Sequence, residues 1–342
     1  MGMRDEIFEQ PATLGALLVD GPARASEIAA AVSGCFDHVV IAARGTSDNA
    51  ARYAQYLWGI HNRLPVGLAT PSVYGPYGAP PRLGRAMVVA ISQSGQSPDL
   101  VAVVAAAAAQ GVPTIALTND AGSPLAGTAD HAMALCAGPE AAVAATKTYT
   151  ASLAAVALLA DALAPGSGLL DELRRVPDAV ARALETEEQV AAVASQLGGE
   201  RRCAVLGRGY HYATAFEWAL KLEELAYVVA QPHSSADFEH GPRAMVEPGF
   251  PVLAAVADGP LYAESAALLE DLGARRGATT VAVSDRDDIP ASHVLPIPGG
   301  LPEALTPIAA IVPAQLFAYH LAVAAGHDPD HPRDITKVTR TR

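Results

Sequence analysis

Positive charge is scarce in this sequence: 23 Lys and Arg stand against 36 Asp and Glu, a formal net charge of -13 over 342 residues. No basic face can neutralise a nucleic-acid backbone or an anionic membrane surface, so neither is expected as a partner. An anionic ligand has to be small and locally held. Charge of either sign is sparse, at 17% of residues, while 51% are hydrophobic, enough for a substantial core. The beginning, MGMRDEIFEQP, lacks the apolar core of a signal peptide. The alanine-rich runs are interrupted by Gln110, Gly111, Pro113 or Asp161 before they reach membrane-spanning length. A cytoplasmic protein is expected. Cysteine is limited to Cys35, Cys136 and Cys203, which lack metal-ligand spacing and read as three buried thiols of a reducing compartment. The ten histidines form no metal constellation, so no metal or other cofactor is expected. Low-complexity tracts are absent too, because the 26 prolines and 29 glycines mostly separate apolar runs.

What is present is an alternation. Apolar runs of strand length, HVVIAA (38–43), LPVGLA, AMVVAIS, PTIALT and HAMALC, alternate with longer helix-compatible stretches. This predicts an α/β fold, a parallel sheet flanked by helices on both faces in three α/β/α layers, flavodoxin-like. From about Lys147 to Leu197 the pattern turns to alanine- and leucine-rich helix. A second series follows: RCAVLGRG (202–209), the helix TAFEWALKLEELAYVVA, the strand PVLAAVA (251–257), the helix LYAESAALLEDLGARRG and the strand TTVAVS (279–284). IAARGTSDNAARYA lies over VLGRGYHYATAFEWA, and MVVAISQSGQSPDL over VLAAVADGPLYAES, so the chain reads as a diverged duplication. The expected organisation is a helical leader over 1–35, a first domain over 36–160, a helical connector over 161–198, a second domain over 199–330 and a tail over 331–342.

The two copies differ at one loop. After AMVVAI the first copy has Ser92, Gln93, Ser94, Gly95, Gln96 and Ser97, where the second has Ala257-Asp258-Gly259-Pro260. In open parallel sheets ligands sit beyond the carboxyl ends of the strands at helix N-termini. Three hydroxyls, an amide and the backbone N–H groups freed by glycine can surround a phosphate there without a basic residue. The helix dipole adds about half a positive charge. The plainer alternative is an ordinary helix cap, with Ser97 before Pro98 and Asp99.

Stretches in collinear order over nearly the whole chain resemble the sugar isomerase (SIS) domain family of phosphosugar-binding proteins. They are EIFEQP (6–11), RGTSDNAARYA (44–54), ISQSGQSPDL (91–100), AGPEAAVAATKTYTASLAA (137–155), GRGYHYATAFEWALKLEE (207–224), EHGP (239–242) and PRDITKVTRT (332–341). Within the family the chain is similar to the isomerase half of glucosamine-6-phosphate synthase and to stand-alone glucosamine-6-phosphate deaminases of the SIS type. The resemblance implies two tandem SIS domains. It also implies the ammonia-releasing reaction, aminosugar phosphate plus water to ketose phosphate plus ammonia, with no glutaminase domain ahead of the leader.

Residue by residue, the resemblance implies a phosphate site of Ser92, Gln93, Ser94 and Ser97 with Thr46 and Ser47. Val143, Ala144, Ala145 and Thr146 would face the sugar. The catalytic set would be Glu224, Lys221, His240 and Lys337, with the histidine delivered across a homodimer. Isomerising a 2-amino aldose requires ring opening, proton transfer between carbons 1 and 2, and an imine. A carboxylate can shuttle the carbon proton, and Glu217, Lys221 and Glu224 share one helical face. The alternative for that row is a solvated run of salt bridges. His240 lies in the polar turn DFEHGPRA, where an imidazole suits ring-opening acid–base work. Lys337 would contact the open-chain carbonyl or form a Schiff base with it, or belong to a frayed basic end. Ala236-Asp237-Phe238-Glu239 replaces the synthase's Gly-Glu-Leu-Lys, and Arg44 its cysteine, which favours the deaminase group. Other expectations stay open: another 6-phosphorylated substrate, such as galactosamine-6-phosphate or a fructosamine-6-phosphate, or a non-catalytic phosphosugar-binding regulator.

Overall fold

Among the described residues, ten strands assemble into two five-stranded sheets in which every pairing is parallel. The structure is a computed structural model and describes residues 2–337. The first sheet contains β1 (His38–Ala42), β2 (Val66–Leu68), β3 (Ala86–Ser92), β4 (Thr114–Thr118) and β5 (His131–Ala134), in the order β2-β1-β3-β4-β5. The second contains β6 (Arg202–Gly207), β7 (Val229–Ser234), β8 (Pro251–Ala255), β9 (Thr279–Ser284) and β10 (His293–Pro296), in the order β10-β9-β8-β6-β7. Read from the other edge, that is the same arrangement of first to fifth strand.

The sheets belong to two units. One comprises Ala12–Glu140, Lys147–Arg174 and the residues from Thr336; the other comprises the chain up to Pro11, Ala141–Thr146 and Arg175–Ile335. The boundaries therefore do not follow a linear division: the helix Gln10–Val32 starts in one unit and continues in the other, and the loop 141–146 leaves the unit that precedes it.

In the first sheet's unit every residue of β3 and β4 is buried. Strands covered on both faces read as continuous apolar runs rather than alternating ones, which is why AMVVAIS and TIALT carry no period of two. Val88 and Ala90 pack with Leu100, Val103, Val104 and Leu125. Trp58, fully buried in the helix Thr46–His61, donates its Nε1 hydrogen to the Val156 carbonyl at 3.0 Å in the helix Lys147–Leu163. Its burial contributes about 2–3 kcal/mol and its hydrogen bond removes the penalty of an orphaned donor. The second sheet's unit has its own core around Leu206, Phe238, Phe250, Val252 and Leu272. Glu303–Ala324 includes a stretch long and apolar enough to cross a membrane, the one such helix among the described residues, and 78% of that stretch is buried inside the fold.

Two expectations are corrected and one alternative falls away. The segment TAFEWALKLEELAYVVA is not one helix: the α-helix His211–Lys221 passes into a π-helical turn, Leu222–Ala226, and ends at Tyr227 with φ 54. Val229–Ser234 is then β7, paired with β6. A short apolar strand abutting a helix merges with it in any periodicity reading. Cys35 and Cys136 are exposed and only Cys203 is buried. The first two fall just outside the strands they adjoin, whereas burial pushes the Cys203 thiol up to about 12. The alternative of a solvated salt-bridge row fails for Glu217 and Lys221, since neither is exposed.

Candidate functional site

With strands in this order the chain leaves β1 and β3 in opposite directions, and the crevice beyond their carboxyl ends is the usual ligand position of such sheets. Both polar motifs of the first unit occupy those two turns. Arg44 to Ser47 follow β1, and Ser92 to Ser97 end β3 and enter the helix Pro98–Ala108. Gly95 has φ 61, and a Cβ there would lie 2.1 Å from Ser123 Oγ, so the turn admits only glycine. Ser92 Oγ accepts the Gly95 N–H at 3.1 Å and Ser94 Oγ the Gln96 N–H at 3.3 Å, while Thr118 Oγ1 donates to the Gln93 carbonyl at 3.3 Å. Ser97 occupies the N-cap position, yet its side chain makes no capping hydrogen bond. The ordinary-cap reading thus fails at the residue it needs. Gln93, Ser94 and Ser97 are half-buried, as are Thr46 and Ser47 at the start of the helix Thr46–His61.

A carboxylate in the first helical turn, Asp99, would repel an anion if left alone. It is buried, accepts the Arg44 Nε hydrogen at 2.9 Å and takes the Leu100 N–H at 2.9 Å. The sequence marked Arg44 only as a departure from the synthase pattern; its partner was not foreseen. Lys337 lies in the same unit, with its ammonium 2.7 Å from the buried carboxylate of Glu140. The remaining expected tail positions, 338–342, lie outside the described residues.

The second unit brings Glu217, Lys221 and Glu224 together. Lys221 is fully buried, with Glu217 at 3.4 Å on one side and Glu224 in direct hydrogen-bonded contact on the other. Burial alone would lower the Lys221 pKa, but the two carboxylates outweigh it and hold the ammonium above its ordinary value. Glu224 stands in the π-helical turn, and its side chain is 24% exposed whereas Glu217 is closed off. A π turn inserts one extra residue and re-aims the side chains that follow it. Tyr227 ends this turn in a left-handed conformation. Its ring carries the Arg333 guanidinium at 3.7 Å and its hydroxyl accepts the Arg333 N–H at 2.9 Å.

His240 follows the short helix Ser235–Glu239 and is exposed. No described hydrogen bond or ion pair joins it to Glu224 or Lys221. In the loop 141–146, Val143 and Ala145 are half-buried and alternate with buried Ala142, Ala144 and Thr146. Sequence reasoning missed what holds this loop. The buried carboxylate of Glu6 accepts the N–H groups of Ala141 and Ala142, and the Gln315 amide donates to the Thr146 carbonyl at 3.4 Å while accepting from Gln10 at 3.0 Å. Glu6 and Gln10 are two residues of the EIFEQP motif, which signalled this function without revealing it. No group of three or more His, Cys, Asp or Glu side chains among the described residues is arranged to hold a metal ion.

The SIS domain family model matches residues 82–162 and 196–325. The chain belongs to the SIS domain family. It is 35% identical over 98% of its length to a glutamine–fructose-6-phosphate aminotransferase (isomerizing) of Pyrococcus horikoshii, and spans 57% of that relative. Among solved structures, a chain provisionally described as a phosphosugar isomerase from Silicibacter pomeroyi superposes with a TM-score of 0.88 at 36% identity, covering 96% of this SIS chain and 100% of the other. The C-terminal domain of a Francisella tularensis glucosamine–fructose-6-phosphate aminotransferase gives 0.86 at 28% identity, covering 96% and 98%.

Proposed function

We propose that this SIS chain is an enzyme acting on a sugar phosphate, and specifically that it converts glucosamine-6-phosphate and water to fructose-6-phosphate and ammonia. The observation that carries the proposal is the buried Lys221 held between two carboxylates, one of which, Glu224, remains partly open. A helix that only needs solubility has no reason to bury such a row, whose desolvation costs several kcal/mol per ion. Phosphate recognition is assigned to Ser92, Gln93, Ser94 and Ser97 with Thr46 and Ser47. It is supported by the uncapped Ser97 side chain and by the neutralisation of Asp99.

In the proposed reaction His240 moves the proton that opens the sugar ring. Glu224 then takes the proton from carbon 2 and returns it to carbon 1, while the carbonyl oxygen gains a proton and the amine nitrogen gives one up, so that the aldehyde becomes an alcohol and the carbon–nitrogen bond an imine. The Lys221 ammonium stabilises the negative charge that builds during transfer. Water adds to the imine and ammonia leaves, giving the ketone. Val143 and Ala145 line the sugar and Lys337 serves the carbonyl end. The Ala236-Asp237-Phe238-Glu239 segment and Arg44 support release of ammonia over its capture. The exposure of His240, away from any bond to Glu224, supports the homodimer in which a partner copy supplies that side chain.

The test is ammonia release by purified protein given glucosamine-6-phosphate, with fructose-6-phosphate measured in parallel and no metal or nicotinamide added. Equimolar products are expected. Binding of the substrate without turnover would overturn the proposal, and faster turnover of galactosamine-6-phosphate or a fructosamine-6-phosphate would reassign the substrate.

A further inference from the structure

Only three lysines occur in the chain: Lys147, Lys221 and Lys337. Lys147 is 2% exposed and Lys221 is fully buried, which leaves Lys337, with a side chain 22% exposed, as the one accessible lysine. Its partner is unusual. The Glu140 side chain has no exposure at all, and both its oxygens are committed. Oε1 accepts the backbone N–H of Thr148 at 3.1 Å; Oε2 accepts the Thr148 hydroxyl at 2.8 Å and the Lys337 ammonium at 2.7 Å. A buried carboxylate is costly unless a cation and hydrogen bonds compensate it. Thr148, buried in the first turn of the helix Lys147–Leu163, supplies the hydrogen bonds and fixes the carboxylate; Lys337 supplies the charge.

We propose that Glu140 is a positioning residue that docks the C-terminal lysine: its buried carboxylate, oriented by Thr148, sets where the Lys337 ammonium stands. The carboxylate cannot turn away, because turning would break both Thr148 bonds, so the lysine comes to it. The Glu140–Lys337 pair would thereby place a donor for the substrate carbonyl before substrate arrives. That consequence for turnover rests on the proposed function; the docking itself does not.

The test is acylation of the intact protein by an N-hydroxysuccinimide ester, followed by peptide mapping that separates Lys337 from the α-amino group. Glu140→Gln preserves shape but presents an amide to the ammonium, and modification of Lys337 should accelerate about five- to thirty-fold. Glu140→Asp, which keeps the charge but draws it back by one methylene, should give an intermediate rate and serves as the second variant if Glu140→Gln folds poorly. Steady-state kinetics provide the other readout: kcat should fall with Glu140→Gln while KM changes by less than about three-fold, since the hydroxyl loop is untouched. Unchanged Lys337 labelling in both variants overturns the docking. Accelerated labelling with unchanged kcat leaves the docking standing and removes Lys337 from the reaction.

Discussion

The two copies of the fold share their architecture and divide their chemistry. Both sheets run in the same strand order. Gly45 and Gly209, at equivalent turns, both have positive φ, 53 and 59. Arg44 pairs with Asp99 at 2.9 Å in one copy, and at the equivalent positions Arg208 pairs with Glu264 at 2.6 Å in the other. Features retained in both belong to the fold. The differences fall at the ligand end of each sheet. Where the first copy opens Thr46 and Ser47, the second has Tyr210 and His211, and the His211 ring is buried between the hydroxyls of Thr214 and Thr306. Where the first has its hydroxyl loop, the second has Asp258 and Gly259, with Arg286 bound to Asp258 and the Glu303 carboxylate filling the space a Cβ would take at Gly259. In the second copy these turns are packed by its own side chains, His211 at one and Glu303 at the other. Conversely, Glu217, Lys221 and Glu224 fall opposite Tyr53, Leu57 and Ile60 of the first copy. One copy therefore has a hydroxyl-lined loop and apolar or aromatic side chains at these helix positions, and the other a Glu–Lys–Glu row and a loop tied by its own ion pair.

This division predicts effects of graded size. Glu224→Gln should lower kcat by about 100- to 10,000-fold while leaving sugar-phosphate affinity within a few-fold, read by steady-state kinetics and calorimetry; unchanged turnover removes the assigned base. Gly95→Ala forces a Cβ into Ser123 and should weaken phosphosugar binding by about ten- to a hundred-fold. Stability reports on the buried His211. Burial lowers the His211 pKa from 6.5 to about 4, so the unfolded chain takes up the proton first and stability present above pH 6.5 is lost as pH falls towards 4. That contribution amounts to about 3 kcal/mol, and His211→Asn should flatten the denaturation profile across this window. Smallest are the effects of the shared ion pairs. Arg208→Ala should cost about 0.2–1 kcal/mol, because both partners meet solvent, whereas Arg44→Ala should cost about 1–3 kcal/mol, because it leaves the buried Asp99 carboxylate without its cation. Equal losses in the two copies would show that the buried Asp99 does not depend on Arg44.

The alternation of apolar runs made the two sheets legible, and Ser92 to Ser97 stood out because its counterpart lacked the hydroxyls. Less could be read where tertiary contact decides. β7 was hidden because Val229 follows a helix after only two residues, and β10 because four residues are too few for a period. Spacing put Glu217, Lys221 and Glu224 on one face but could not show that the face is buried. Glu6, Gln315 and Glu140 each act across more than a hundred residues, Glu140 towards Lys337 as well as across a short loop to Thr148. Only the recognisable EIFEQP and DITKVT stretches hinted that such contacts existed.

The division of labour is tested most directly by counting phosphosugar molecules bound per chain in a calorimetric titration with fructose-6-phosphate. One site is predicted, weakened by Gly95→Ala and indifferent to Asp258→Ser. Two sites per chain, or one that survives Gly95→Ala and responds to position 258, would contradict the account.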